Sequence, residues 1–230
     1  MSYALLSHVD SEFNLKFPED FDLEVFCSDF CNELYDLYIT AVGNTCSHPV
    51  QHTKESIRST RIWSVLNRIY QYAELGNPEF LWLTNNEWQF DDDDFLYAVE
   101  WFNALKTLDE TSGGFSFKYR IFHGIHMLHK FIARFKLDSN GNFAGYCDDH
   151  YPIVGSEFFF PLVHKTHFSL FEIALLAGMG TIRSVRNATY DKKDPLKVIK
   201  EGNKVFVEIS EARRWLKERR GFVPTKGIQY

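Results

Sequence analysis

The sequence contains few cysteines, no long apolar run and no excess of basic residues, and each shortage excludes a class of protein. Four cysteines in 230 residues are too few for a disulfide-stapled fold. Because no window reaches about 18 consecutive apolar residues, we expect no membrane span and no membrane partner. The start of the chain lacks the basic residues and apolar stretch of a secretory signal. Together these shortages predict a cytoplasmic protein.

The net charge of −6 is divided unevenly along the chain. Residues 181–226 hold 13 basic and 6 acidic side chains, a net charge of +7, which leaves −13 for the remaining residues. A basic segment attached to an acidic protein indicates a basic working surface. The acidic average therefore does not exclude a nucleic-acid partner for this segment.

Aromatic residues are abundant, at 17% of the chain, with 22 Phe and 11 Tyr. The usual role of such residues is to supply buried area in a core. An aromatic pocket for a small ligand is the alternative. The N-terminal part could then respond to a small-molecule or protein effector, and the sequence leaves both readings open.

Apolar residues recur every three or four positions in the first 135 residues, which predicts helices over 21–39, 54–76, 91–110 and 117–135. Four amphipathic helices joined by modest loops predict a helical bundle. The acidic run Asp91–Asp94 precedes the third helix, where the helix dipole favours negative charge. We interpret this run as a solvated helix start and not as a metal site, because four consecutive side chains cannot converge on one ion.

Residues 136–167 lack the helical pattern. Asn140-Gly141 is typical of the turn of a small β-hairpin. The aromatic residues and prolines that follow predict a connector packed against the helices. We place a domain boundary near residue 165. It separates a helical, aromatic-rich dimerisation or sensing domain over 1–165 from a second domain over 166–230.

The second domain begins with the signals of two helices joined by a tight turn. Ser169 and Glu172 have the spacing of a capping box, which starts a helix. Gly178 can take the left-handed conformation that ends this helix, and Thr181 can cap the next one. The side chains predicted to face outward at the second helix are Arg183, Ser184, Arg186, Asn187 and Tyr190. The first four of them, together with Thr181, are predicted to contact DNA.

A basic hairpin and a closing helix are predicted next. The strands cover residues 197–200 and 204–208, joined through 201–203, and Ser210 can cap the last helix. We expect phosphate or minor-groove contacts from five side chains in and before this hairpin: Lys192, Lys193, Lys200, Asn203 and Lys204.

This order of elements resembles the excisionase and MerR-type winged helix-turn-helix domains. The residues that carry the resemblance are Leu170, Glu172, Ala174, Ser184, Val185, Arg186, Gly202, Trp215 and Leu216. The chain departs from the pattern at Gly180, where a small polar residue is usual, and in the long charged segment 190–195. The resemblance implies a mainly α protein, with an N-terminal helical bundle followed by a winged helix-turn-helix that carries a small β-hairpin wing. It also implies that the second helix reads bases in the major groove.

We therefore expect a sequence-specific, double-stranded DNA-binding protein, a bacterial or mobile-element transcriptional regulator that acts as a homodimer. Arginine and asparagine make bidentate hydrogen bonds to guanine and adenine edges. The sequence has no Ser-His-Asp order, phosphate-binding glycine loop or nucleotide motif, so we expect neither catalysis nor a cofactor. The alternative is a protein-interaction adaptor of the same fold, in a toxin–antitoxin or phage-defence setting.

Two other sites are less well supported by the sequence. Zinc-ligand residue types occur at Cys27, Cys31, Cys46, His48 and His52, but they lack the paired spacing of zinc modules, so no metal is predicted. Arg120 and His126 are similar to the arginine–histidine signature of HEPN-type ribonucleases, a motif short enough to arise by chance. Histidines at 123, 126 and 129 drift around their helix, which predicts an exposed polar edge.

Overall fold

A computed structural model describes residues 15–42, 54–84, 87–90, 92–112, 121–141, 166–202 and 204–230, which are mainly helical. A two-stranded and a three-stranded antiparallel sheet accompany the helices, so the predicted mainly α fold is confirmed. None of the described helices is long and apolar enough to cross a membrane. We call residues 15–141 the body and residues 166–230 the C-terminal unit.

The described residues of the body form five α-helices, one short 3-10 helix (Pro78–Phe80) and one hairpin. In chain order the α-helices and strands are α1 (Leu23–Val42), α2 (Lys54–Arg58), α3 (Arg61–Ala73), β1 (Leu81–Thr84), β2 (Glu87–Phe90), α4 (Asp92–Ser112) and α5 (Ile121–Asp138). The helix predicted over 54–76 is divided into α2 and α3. The reason is Thr60, which is extended and caps α3 by accepting a hydrogen bond from the Trp63 amide on Oγ1 at 3.1 Å.

The β1–β2 hairpin lies inside the part of the chain that periodicity assigned to helices and loops. Leu81 pairs with Phe90 and Thr84 with Glu87 in an antiparallel register. Each strand has four residues, which is too short for alternation to be distinguished from a helical pattern. Asp92 then begins α4 as the acidic run predicts, whereas Asp91 lies outside the described residues.

Helix α5 is covered on both sides. Met127, Phe131 and Phe135 belong to the core of the body, whereas Ala133 and Leu137 belong to the core of the C-terminal unit. The prediction of an exposed histidine edge is wrong, because His126 is 5% and His129 is 7% exposed. A helix between two cores has no solvent face, so its polar residues are buried as well.

Asn140 and Gly141 end α5 and do not turn a hairpin. Both have positive φ, at 55° and 72°. The Asn140 amide donates to the Leu137 carbonyl at 3.3 Å, and the Gly141 amide donates to the Lys136 carbonyl at 3.1 Å, which is the Schellman arrangement. The hairpin prediction is wrong for the strand before the turn, because Leu137 and Asp138 are helical. Residues 142–165 lie outside the description.

In the C-terminal unit, the described residues form three helices and a three-stranded sheet. Its elements are β3 (His167–Ser169), α6 (Leu170–Leu176), α7 (Ile182–Ala188), β4 (Ile199–Glu201), β5 (Lys204–Glu208) and α8 (Ile209–Lys217). The sheet has the order β3-β5-β4, and both pairings are antiparallel. Strand β3 was not predicted, since it has only three residues.

Two boundaries differ from prediction. The residue that precedes α8 is Glu208, without a side-chain cap, so Ser210 lies inside the helix. Strand β4 begins at Ile199 and not at Lys197. The amide of Lys197 donates instead to the Glu211 carboxylate at 2.9 Å, which ties this residue to α8.

Buried polar side chains of α5 join the body to the C-terminal unit. The Lys136 ammonium donates to the His167 carbonyl at 2.7 Å and to Glu172 Oε1 at 2.5 Å. Arg134 donates to the Ala73 carbonyl of the body at 3.1 Å and to the Val223 carbonyl at 2.5 Å. These bonds satisfy groups that would otherwise be buried without partners.

Asp138, at the end of α5, accepts hydrogen bonds from hydroxyl groups of the body and of the C-terminal unit. Its carboxylate accepts hydrogen bonds from Tyr72 at 2.6 Å and from Thr225 at 2.7 Å, and a further one from Tyr230. Burial raises the pKa of Asp138, and the three hydroxyl donors oppose that rise. The segment after α8 is thereby fastened to the body.

Candidate nucleic-acid interface

The helix pair α6–α7 forms as the sequence predicts. At the start of α6, the Glu172 amide donates to Ser169 Oγ at 3.2 Å and the Ser169 amide donates to Glu172 Oε2 at 2.7 Å, which confirms the capping box. Gly178 ends α6 with a φ of 62°, and the Met179 amide donates to the Ala174 carbonyl at 2.9 Å. A turn of five residues, 177–181, then leads the chain into α7.

The turn between α6 and α7 is held by residues from distant parts of the chain. A Cβ on Gly221 would lie 2.3 Å from the Ala177 carbonyl oxygen, so the backbone after α8 packs directly on the turn. From the other end of the sequence, the Leu15 amide donates to the Gly180 carbonyl at 2.8 Å. The Leu15 side chain is buried in the core of the C-terminal unit.

Helix α7 presents one apolar and one polar side. Val185 is buried, and Ile182 and Ala188 pack beside it against the core. The polar side chains Arg183, Ser184, Arg186 and Asn187 are exposed, as predicted. This placement fits a helix that is anchored on one side and free to contact a partner on the other.

Thr181 and Ser184 are engaged in capping α7. Thr181 Oγ1 accepts a hydrogen bond from the Ser184 amide at 3.2 Å and lies 2.9 Å from the Ser184 hydroxyl. The cap predicted at Thr181 is confirmed. Both side chains remain exposed, but their hydroxyls already have partners within the helix.

The long charged segment after α7 is fixed to α8. Asp194 forms ion pairs with Arg214, at 2.6 Å, and with Arg219. Leu196 is buried, and its amide donates to the Ala188 carbonyl at 3.0 Å. The exposed lysines 192 and 193 are therefore carried on an anchored loop and not on a free linker.

The β4–β5 hairpin places its two predicted lysines on opposite faces. Lys200 pairs with Val205, and Glu201 pairs with Lys204. Paired residues share a face and successive residues alternate, so Lys200 projects on one side and Lys204 on the other. Lys204 has Glu201 beside it, which partly offsets its charge. Asn203 lies outside the described residues.

Basic side chains of the body and those predicted to contact DNA differ in whether they have partners. In the body, each Lys and Arg side chain that the structure describes makes an ion pair or a hydrogen bond to a carbonyl. Six of the side chains predicted to contact DNA make neither with any described residue, and all six are exposed: Arg183, Arg186, Lys192, Lys193, Lys200 and Lys204. The net charge of +7 calculated for this segment is thus concentrated in side chains with free cationic groups.

The described residues give little support to the zinc site or to the ribonuclease site. Cys27 and Cys31 are buried free thiols, and burial raises the pKa of Cys31 to about 11. Among the described residues, no three His, Cys, Asp or Glu side chains are grouped to hold a metal ion. Cys46, His48, His52 and Arg120 lie outside the description. Burial lowers the pKa of His126 well below its ordinary value, so this ring is neutral in the fold.

A surface groove of about 500 Å³ lies beside the start of α1. Its lining combines aromatic and acidic side chains: Glu19, Asp20, Phe21, Asp22, Leu23, Glu24, Trp63, Asn67, Tyr70 and Gln71. Several of these groups already have partners in the chain. Asp22 accepts from the Glu24 amide at 3.0 Å, Glu24 pairs with Arg58, and the Arg58 guanidinium lies 5.9 Å from the Trp63 ring centre.

Leu15 and Gly221 are the two positions of the site that sequence reasoning missed. Both are far from α6 and α7 in the chain, so no local pattern connects them to the turn. The glycine that follows the arginine pair 219–220 was the available signal, because a close backbone approach requires a residue without Cβ. Comparison with family models, curated proteins and solved structures finds no match to this chain.

Proposed function

We propose that the C-terminal unit is a winged helix-turn-helix that binds double-stranded DNA in a sequence-specific manner. Helix α7 is the recognition helix in this proposal, and the β4–β5 hairpin is the wing. The observation that carries the proposal is the set of six exposed cations without partners on and after α7. Such side chains keep their full charge available for phosphates and base edges.

The roles of the polar side chains follow from their chemistry and position. Arg183, Arg186 and Asn187 are suited to base edges, since they are exposed on α7 and form bidentate hydrogen bonds. Lys192, Lys193, Lys200 and Lys204 are suited to phosphate, and Asn203 to phosphate or the minor groove. Thr181 and Ser184 contribute mainly by fixing the start of the helix.

The body completes the proposed function. A single module of this size buries little surface on DNA, so we propose that the protein binds a two-fold site as a homodimer. In this proposal it is a non-catalytic transcriptional regulator of the cytoplasm, and the body dimerises or responds to a small-molecule or protein effector. Contacts of the C-terminal unit with α5 and with Leu15 give the body a direct connection to the helix pair.

Selection of bound fragments from a random-sequence duplex pool tests the proposal. We expect one recurring sequence after repeated selection with the full chain. The Arg183→Ala/Arg186→Ala double variant should lose this enrichment because it lacks both guanidinium groups. The matched control, Arg58→Ala/Arg61→Ala, removes two exposed arginines from the body and should retain it.

Failure to bind any duplex at low salt would contradict the proposal and favour the protein-interaction adaptor. Equal loss of enrichment in the two double variants would also contradict it, because loss of charge anywhere on the protein would then explain the result.

A further inference from the structure

Tyr190 is the most exposed of the large apolar side chains in the described part of the chain. It is 78% exposed, compared with 44% for Leu75, 39% for Tyr97 and 38% for Val223. It follows α7 by two residues, and its amide is held by the Asn187 carbonyl at 3.0 Å. The backbone at this position is therefore held, and a tyrosine side chain, with two torsions, loses little freedom on binding a partner.

Tyr190 lies close to the arginines of α7 along the chain. It is seven residues after Arg183 and four after Arg186, in the turn that follows Ala188, the last residue of the helix. Asp191 follows it, and then Lys192 and Lys193, both exposed and without ion pairs to described residues, so cations outnumber carboxylates around Tyr190. The surroundings are therefore cationic, and an anionic partner fits them better than an apolar one.

Arg220 precedes a glycine whose backbone packs on the turn that leads into α7. The next residue, Gly221, packs on Ala177 and Gly178, in the turn that leads into the helix. Its neighbour Arg219 is committed to the fold, because it pairs with Asp194 and lies 4.2 Å from the Trp215 ring centre. Arg220 is exposed, and its side chain makes no hydrogen bond or ion pair with any described residue.

The length of α7 connects these two positions to the dimensions of DNA. Seven helical residues span about 10 Å, and the major groove is about 12 Å wide. When such a short helix lies in the groove, both of its ends come close to the phosphate rows at the groove edges. Arginine and tyrosine side chains both donate hydrogen bonds to phosphate oxygens.

We propose that Tyr190 and Arg220 form a phosphate clamp that holds the two backbones of the major groove at the two ends of α7. This proposal rests on the proposed function, because it places α7 in the groove. It adds two positioning contacts that the sequence pattern did not assign. The partner is duplex DNA, recognised at this surface through its backbone and not through its bases.

The salt dependence of binding separates the two contacts, because only a cation releases condensed counterions. With the full chain and a labelled random-sequence duplex, Arg220→Gln should weaken binding and lower the log–log salt slope by about 0.9. Tyr190→Phe removes only the hydroxyl, so affinity should fall about tenfold at every salt concentration with the slope unchanged. Arg220→Lys should restore the slope.

Lys217→Gln is the matched control. Lys217 is exposed on the last turn of α8, but its ammonium donates to the Tyr230 carbonyl at 3.4 Å, on the side of the segment that is fastened to the body. Loss of this charge should leave the slope unchanged. An equal change in slope for Lys217→Gln and Arg220→Gln would overturn the clamp, since a diffuse charge effect would then account for both.

Two further results distinguish failure of the clamp from failure of the proposed function. The clamp alone is overturned if the wild-type protein binds duplex, Arg186→Ala weakens binding, and both Tyr190→Phe and Arg220→Gln bind as the wild type does. Both proposals are overturned if the wild-type protein does not bind the duplex at low salt.

Discussion

The face of the C-terminal unit that meets α5 differs from the face that carries α7 in what its charged side chains contact. On the α5 side, Lys136 and Arg134 are fully buried and bonded to carbonyls and to Glu172. On the α7 side, Arg183 and Arg186 are exposed and have no such partners among the described residues. Desolvation forces a buried charge to find partners, whereas a hydrated one remains available to an outside anion. Burial and pairing together therefore distinguish basic residues that stabilise the fold from those that are available to bind a partner.

The largest effect is expected at Arg134. Arg134→Ala removes a fully buried guanidinium that donates to the Ala73 and Val223 carbonyls and to the buried Thr225 hydroxyl, so the free energy of unfolding should fall by about 3–5 kcal/mol. Urea unfolding followed by circular dichroism measures it. The control, Arg58→Ala, breaks an exposed pair with Glu24 and should cost less than about 1 kcal/mol. Equal losses for the two variants would remove the distinction between buried and exposed arginines.

Acid should weaken the α5 contacts through His129. Burial lowers the pKa of His129 to about 3, compared with about 6.5 in the unfolded chain. Below pH 6.5 the unfolded state therefore binds a proton that the folded state does not. Stability is complete above pH 6.5 and should fall by about 1.4 kcal/mol per pH unit for this ring.

His129→Phe tests this dependence, because it keeps an aromatic ring against Phe171 and removes the titration. Urea unfolding of both proteins at pH 7 and pH 5 should show a loss about 2 kcal/mol smaller in the variant. The same pH dependence in both proteins would show that His129 is not held neutral by burial.

On the α7 side, substitution of an arginine should affect DNA binding more than it affects the free energy of unfolding. Arg186→Ala should weaken specific duplex binding by about 1–3 kcal/mol, while the free energy of unfolding changes by less than about 0.5 kcal/mol. Fluorescence anisotropy with the selected duplex and urea unfolding measure the two quantities. A stability loss without a binding loss would assign Arg186 to the fold.

The smallest effect concerns the two hairpin lysines. Lys200→Ala should lower the salt slope of duplex binding by about 0.9, the value for one phosphate contact. Lys204→Ala should lower it less, because Glu201 lies opposite Lys204 on the same face of the hairpin. The reverse order would place the DNA on the Lys204 face.

Local signals explain why the helix pair could be predicted in detail. Ser169 with Glu172, Gly178 and Thr181 each fix a helix end through bonds within a few residues, so a short stretch of sequence contains all the required information. The exposure of Arg183 and Arg186 follows from the same local periodicity.

The burial of α5 could not be predicted in this way. Its histidines were predicted to be exposed, because periodicity assumes one covered side for each helix. The second side is covered by the C-terminal unit, whose residues are distant in sequence. For the same reason, the contacts of Leu15 and Gly221 with the α6–α7 turn and the opposite faces of Lys200 and Lys204 depend on tertiary pairing.

The salt dependence of duplex binding by the full chain tests most directly whether the unpaired cations of the C-terminal unit bind DNA. If most of the six cations contact phosphate, the affinity should fall steeply as salt rises, with a log–log slope between about −3 and −5. A slope near zero, or no binding to any duplex at low salt, would contradict this account.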